Sequence, residues 1–264
     1  MVTALVVAAH PDDIEFMMAG TLLLLKDAGW QIHCLNLSSG NLGSTKMPPG
    51  QTARVRRHEA ATAAKRLGAV WHAPFCADLE ILYEPRTLRR LCAVIREVAP
   101  RVILTHSPQD YMEDHMTTAR LTVTAAFARG FPNFRSTPRR PPTTSPVTIY
   151  HASPHGLRDP LRHRILPGAF VDTTTVHERK RAALACHASQ REFLDVTQAM
   201  DSYLRTMDEL SREVGRLGGF RYAEGWRRHS HLGFCEEEDD PLRDALGRRY
   251  RVNTRFERLL DRGF

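Results

Sequence analysis

The chain has 264 residues, enough for one large α/β domain or a domain with an appendage, and its 42% hydrophobic content is that of an ordinary globular protein. Its formal net charge is +7, which invites a nucleic-acid partner, but acidic and basic side chains are interleaved, as in Arg56-Arg57-His58-Glu59, which argues against one; only four of the 37 basic residues are lysines, an arginine bias that reads as genomic composition. The five cysteines, Cys34, Cys76, Cys92, Cys186 and Cys235, form no CxxC pair and are odd in number, which fits reduced thiols in a cytoplasmic protein.

No charged segment precedes the first apolar run, so no signal peptide is read, and the longest apolar run, Phe16 to Leu25, is too short to span a bilayer. Leu5–Ala9 reads as a buried strand. The polar turn His10-Pro11-Asp12-Asp13 follows, and Ile14–Ala28 reads as a helix closed by Gly29. In an open α/β sheet such a turn sits at the carboxyl end of the first strand, where ligands bind. His10 and Asp13, three apart, can face one metal ion, and Asp12 is then free to act as a base. The competing reading of either aspartate is a helix cap.

Gln31–Leu37 alternates and predicts a second strand, followed by the loop Ser38 to Gly43, a surface turn or the rim of the same pocket. Thr52–Leu67 predicts a helix ending at Gly68. Val70–Phe75 is a strand with Asp78 beyond its end, Arg86–Val98 a helix stopped by Pro100, and Val102–Thr105 a short β-branched strand. This alternation predicts an α/β fold: a Rossmann-like, doubly wound, mostly parallel sheet with helices on both faces. Past Ala128 the pattern loosens. Phe131 to Pro146 is rich in Pro, Arg and Thr and reads as an exposed loop or lid; it holds the basic cluster Arg135 to Arg140. Strands are expected at Val147–His151 and Ala169–Val171, a helix start at Asp172 to Thr175, and helices at His177–Ala188 and Glu192–Leu217. The acidic run Glu236 to Asp240 opens a charged extension, so the chain divides into a domain over 1–235 and a tail over 236–264.

One histidine and one carboxylate do not complete a metal site. Asp110-Tyr111-Met112-Glu113-Asp114-His115 follows the fourth strand and precedes the helical run Met116–Arg129, so His115 falls at the same mouth of the sheet as His10 and Asp13. Three ligands from two loops leave positions open for water and substrate, as catalytic zinc sites do. Asp114 can orient a ring or cap the helix.

The string Ala9-His10-Pro11-Asp12-Asp13-Ile14-Glu15 resembles the signature of the GlcNAc-phosphatidylinositol de-N-acetylase family, the PIG-L or LmbE-like proteins, zinc-dependent N-deacetylases of glucosamine-type sugars. Asp114-His115 resembles the end of that family's His-Pro-Asp-His motif, with Met112-Glu113 where the family has its first histidine and proline. Looser likenesses are Arg56 to Glu59 before Leu67-Gly68, Asp78, Cys186-His187-Ala188-Ser189-Gln190, and Tyr222 to Arg227, so the resemblance spans residues 1 to 235.

The resemblance implies Zn2+ held by His10, Asp13 and His115, although two histidines and a carboxylate also suit Fe2+. It implies a hydrolase in which Asp12 is the general base on a metal-bound water, and Arg56 and Asp78 touch the substrate. Its substrate would be a small-molecule N-acetylglucosamine conjugate, with the lid loop and the late aromatic segment around the aglycone. Neither a nucleic-acid partner nor a transmembrane segment is expected, and a homo-oligomer is compatible with the sequence. The missing histidine leaves an oxyanion stabiliser to be found. Tyr111 is the first candidate for that catalytic part; His106, His151, His155, His229 and His231 are others, each with a structural role as its plainer reading. The competing function is a non-catalytic metal- or sugar-binding module of the same fold.

Overall fold

An apolar run without polar alternation belongs inside a parallel sheet, buried on both faces, and Thr3–Ala8 does form that central strand, β1. In the computed structural model, which describes residues 1–190, 193 and 203–262, β1 pairs in parallel with β2 (Gln31–Asn36) on one side and β4 (Val102–Thr105) on the other. β3 (Val70–His72) lies outside β2, and β5 (Thr148–Ala152) outside β4, both parallel. Three antiparallel strands, β7 (Ala223–Arg228), β6 (Ala169–Asp172) and β8 (Tyr250–Val252), extend that side, giving the order β3-β2-β1-β4-β5-β7-β6-β8. The fold is therefore the α/β sheet expected, parallel through its first five strands. β2 and β4 leave β1 in opposite directions, so the crevice at their carboxyl ends is the switch point where such sheets bind ligands.

Nine α-helices are described: α1 (Asp13–Met17), α2 (Ala19–Asp27), α3 (Pro49–Arg66), α4 (Pro85–Val98), α5 (Glu113–Phe127), α6 (His177–Leu184), α7 (Tyr203–Gly218), α8 (Pro241–Leu246) and α9 (Thr254–Arg262). The pleat of β1 splits the core in two. Ala4, Val6 and Ala8 pack with Leu22 of α2 and Leu67 beyond α3 on one face. Leu5, Val7 and Ala9 pack with Leu91 and Ile95 of α4 and Leu121 of α5 on the other. Among the described residues no helix is long and apolar enough to cross a membrane.

Two expectations need correction. The helix predicted over Ile14–Ala28 is two helices, because Met18 leaves the helical region at φ −133°. The cause lies 204 residues away. Glu224 of β7 accepts hydrogen bonds from the Gly20 and Thr21 backbone N–H groups at 2.8 and 2.7 Å, capping a fresh helix start. The charged segment past residue 235 is not a separate tail: β8 is the sheet's edge strand, and Leu242 of α8 is fully buried in the first core. Of the helix expected over Glu192–Leu217, the described part is α7; most of the rest lies outside the described residues.

Glu224 also pairs with Lys180 at 2.8 Å, both side chains nearly inaccessible, and Trp226 donates its indole N–H to Thr21 Oγ1 at 3.0 Å. The late segment around Ala223 to Arg227 is thus a clamp on α2. Removing one partner of a buried pair leaves an uncompensated charge. Lys180→Met is expected to lower unfolding free energy by about 3–5 kcal/mol in urea titration, and the double variant with Glu224→Gln to recover part of it.

Candidate active site

The turn after β1 is built to separate two adjacent carboxylates. Asp12 sits at φ 106°, a left-handed conformation that costs an L-residue energy and marks functional turns. The His10 backbone N–H donates to Asp13 Oδ2 at 2.7 Å, and Asn36 of β2 donates its amide to the His10 carbonyl. Arg56 of α3, almost wholly buried, donates to the carbonyls of Pro11 and Gly40 and lies 3.4 Å from Asp12 Oδ2. Gly40 itself is at φ 72°, and a Cβ there would collide with the Arg56 side chain, so this close approach requires glycine. Arg56, expected to touch substrate, has its guanidinium largely engaged in holding the turn that presents Asp12, though it also borders the cavity.

Asp13 faces a ring of imidazoles. His10 Nδ1 is 3.4 Å from its Oδ2, His115 Nε2 3.3 Å from its Oδ1, and His106 Nε2 3.3 Å from its Oδ2. The His10 and His115 rings, from loops a hundred residues apart, lie 5.6 Å centroid to centroid. The outer nitrogens are held by carboxylates: His10 Nε2 by Asp114 at 3.0 Å, His115 Nδ1 by Asp110 at 3.1 Å. Asp114 also accepts the Leu79 N–H at 2.8 Å, which ties the loop after β3 to the site. Donor atoms of His10, Asp13 and His115 all lie within 4.8 Å of one another. Two imidazoles with their far nitrogens bonded to carboxylates, and a carboxylate between their near nitrogens, fit a divalent cation of the zinc type. A second grouping, His106, Asp110 and His115, has the same spread. Its His106 Nε2, however, already accepts the Ala9 N–H at 3.0 Å, and the ring stacks on His115 at 4.0 Å as packing.

The electrostatics sort the two aspartates. Burial raises Asp12, the Asp13 charge adds to the rise and Arg56 opposes it; the net pKa is raised. Burial would raise Asp13 as well, but the His115 and His106 charges and the hydrogen bond from His10 reverse it and hold the carboxyl well below the usual range. Burial works against charge on His10, yet Asp114 and Asp13 push it up to about 9. Burial is likewise outweighed at His115, where Asp13 and Asp110 push the ring up to about 10. A ring whose pKa rises on folding stabilises the fold below its ordinary value of 6.5 and loses that contribution as pH climbs through the folded value. The metal-free protein is therefore expected to lose thermal stability between pH 6.5 and 10. Zinc-loaded protein, whose ligands are already deprotonated, should hold its melting temperature over that window; parallel loss in both forms would contradict the assignment.

The carboxyl edge of the sheet opens into a cavity of about 290 Å³ lined by these residues. Asp78 borders it, its carboxylate accepting Ser38 Oγ at 2.6 Å and the Leu42 N–H at 3.0 Å. Tyr111 stands half exposed at the rim with its ring edge-on to His115 at 5.7 Å. The structure thus gathers His10, Asp12, Asp13, Arg56, Asp78, Tyr111 and His115 at one cavity. The other histidines separate. His155 lines the cavity; His151 is buried, bonded to the His106 carbonyl at 2.8 Å and to His229 at 3.1 Å. Sequence reasoning missed Asp110, which orients His115, and Tyr203 of α7, whose buried hydroxyl faces Asp12. It also missed the buried Glu15–His187 pair at 3.1 Å, beside Asp12. Asp110 and His115 straddle a helix start at a spacing that carries no local signal, and Tyr203 arrives from a distant helix.

Residues 5–126 match the family model described as PIG-L, GlcNAc-PI de-N-acetylase. The diacetylchitobiose deacetylase of Thermococcus kodakarensis is 30% identical over 230 residues, 84% of this chain and 81% of its own. The 4-oxalmesaconate hydratase of Pseudomonas putida is 32% identical over 199 residues, 71% of this chain and 74% of its own. Among solved structures, the 4-carboxy-2-hydroxymuconate hydratase of Pseudomonas putida KT2440 superposes with a TM-score of 0.73 at 26% identity, covering 91% of this chain and 99% of that one. With the signature string in the turn after β1, the sheet that carries it and relatives matched over most of their length, the chain belongs to the GlcNAc-PI de-N-acetylase (PIG-L, LmbE-like) family.

Proposed function

We propose that the protein is a metal-dependent amide hydrolase that removes an N-acetyl group from a glucosamine-type sugar conjugate. The observation that carries this reading is the division of labour between Asp12 and Asp13. Neighbouring carboxylates whose environments drive their pKa values apart mark an acid–base pair of roles. Asp13, held ionised among imidazoles, is the ligand. Asp12, its pKa raised by burial and its carboxylate lining the cavity, is placed to take a proton as the general base.

His10, Asp13 and His115 would hold the ion, Zn2+ by family likeness, with Fe2+ suited to the same donors. When bound, such an ion polarises an acyl oxygen and makes a water acidic enough to lose its proton near neutral pH. Asp12 takes the proton of the attacking water and returns it to the departing amine. Burial raises the Tyr111 phenol, and nearby Asp13 and Asp110 add to the rise, so its hydroxyl stays protonated and can donate to the acyl oxygen. Asp78 offers its carboxylate to sugar hydroxyls, and Arg56 fixes the Asp12 turn and the cavity wall beside it.

The hydratase relatives support a second reading, addition of water to an unsaturated carboxylated acid. The cavity weighs against it. Among its described lining residues are four aspartates, Asp12, Asp13, Asp78 and Asp110, against a single arginine, Arg56, that is already bonded to protein carbonyls. The cation or the two raised imidazoles at the floor offset much of that negative charge, but among the described lining residues no free guanidinium or ammonium is left to pair with the carboxylates of a polyanion, whereas an uncharged sugar needs none. The test is acetate release from N-acetylglucosamine conjugates by zinc-loaded protein, run beside loss of the conjugated-diene absorbance of a muconate-type acid. Acetate without diene loss supports deacetylation; diene loss without acetate overturns it.

A further inference from the structure

We infer that His155 is a second hydrogen-bond donor to the oxyanion beside Tyr111, supplying from the loop after β5 the imidazole that Met112 does not offer. The inference rests on the amide-hydrolysis reading. β5 lies next to β4 in the sheet, so the loop at its carboxyl end hangs over the same mouth as Asp110 to His115. His155 opens a short turn in which Gly156 and Leu157 both take positive φ, 70° and 52°, and Leu157 is buried in the core cluster that also holds Phe16, which anchors the turn. The ring packs against Phe16 at 5.6 Å and Tyr111 at 6.1 Å and lines the cavity with His10, His106 and His115.

Those other cavity histidines have committed nitrogens. His10 and His115 are bonded to Asp114 and Asp110, and His106 accepts from Ala9. Among the described residues His155 makes no hydrogen bond through either ring nitrogen, so its N–H is free to meet a ligand. Met112, which also lines the cavity, has no donor to offer. The groups facing His155 are Asp110, His115 and Glu213; burial is the largest influence and its net effect is to lower the ring's pKa. A neutral imidazole is a poor proton source and a good N–H donor, which suits a site where Asp12 carries the proton.

The test uses zinc-loaded full-length protein with His155→Ala and His155→Gln. On an N-acetylglucosamine conjugate, His155→Ala should lower kcat about 100-fold with KM changed by less than about threefold, and His155→Gln, which keeps an N–H donor, should recover part of the loss. Calorimetry gives a second reading. Affinity for the N-methylphosphonamidate of the same amino sugar, a tetrahedral oxyanion mimic, should fall at least about tenfold in His155→Ala, while affinity for the free amine product is unchanged. Unchanged kcat and unchanged phosphonamidate affinity would overturn the inference and leave the deacetylase reading standing. A wild-type protein that releases no acetate, yet loses phosphonamidate affinity on His155→Ala, would overturn the deacetylase reading and keep the donor. Wild-type protein that neither releases acetate nor binds the mimic would overturn both.

Discussion

Asp12→Asn should lower kcat for acetate release by about 10³–10⁴-fold while the protein keeps one equivalent of zinc. The substitution leaves shape and the left-handed turn intact, since asparagine tolerates positive φ as aspartate does. It removes a cavity carboxylate whose pKa burial raises. The sign of the stability effect follows from the same shift. An acid whose pKa rises on folding is protonated more readily in the folded state, so its ionisation destabilises the fold as pH climbs above the unfolded value. Asp12→Asn should therefore melt no lower, and at pH 8 higher, than wild type. Turnover within about tenfold of wild type would remove Asp12 from the mechanism.

His115→Ala should abolish both metal retention and turnover. It deletes one of the three proposed ligands and leaves Asp13 and Asp110 facing each other without the ring between them. Metal affinity should fall well beyond the roughly 10–100-fold expected for the outer variants Asp110→Asn and Asp114→Asn, which only release the orientation of a ligand ring. The metal-free variant should also be less stable than metal-free wild type below pH 9, where the charged ring still contributes in the latter. Equal zinc content in His115→Ala and Asp110→Asn after dialysis against a weak chelator would contradict this order.

What the sequence disclosed and what it hid follow from the range of the interactions involved. The strand–turn–helix around His10 to Asp13 is contiguous, so apolar patterning and residue chemistry were both readable in one window. Val102–Thr105 matches β4 residue for residue because a β-branched run between Pro100 and a polar turn has few alternatives. The break at Met18 was hidden because nothing in an apolar run announces it; the carboxylate of Glu224 creates it from β7. β7 itself was hidden by its Gly-Trp-Arg-Arg composition, and β8 by its length of three residues in a charged segment. At the site the proposed ligands were nameable because His10, Asp13 and His115 stand in characteristic strings, and the structure brings their donor atoms within 4.8 Å of one another. Their supports were not: Asp110 acts across a helix start and Tyr203 from α7, and Arg56, expected at the site as a substrate contact, commits its guanidinium to the Gly40 and Pro11 carbonyls, which nothing in its own helix announces.

The central claim is that one divalent cation sits between His10, Asp13 and His115 beside Asp12. An anomalous difference map at the zinc edge, from crystals grown with one equivalent of zinc, tests it directly. The account predicts a single peak about 2.0–2.2 Å from His10 Nδ1, His115 Nε2 and an Asp13 oxygen. A peak seated instead on His106 and Asp110, or no peak at the carboxyl end of β1, would contradict it.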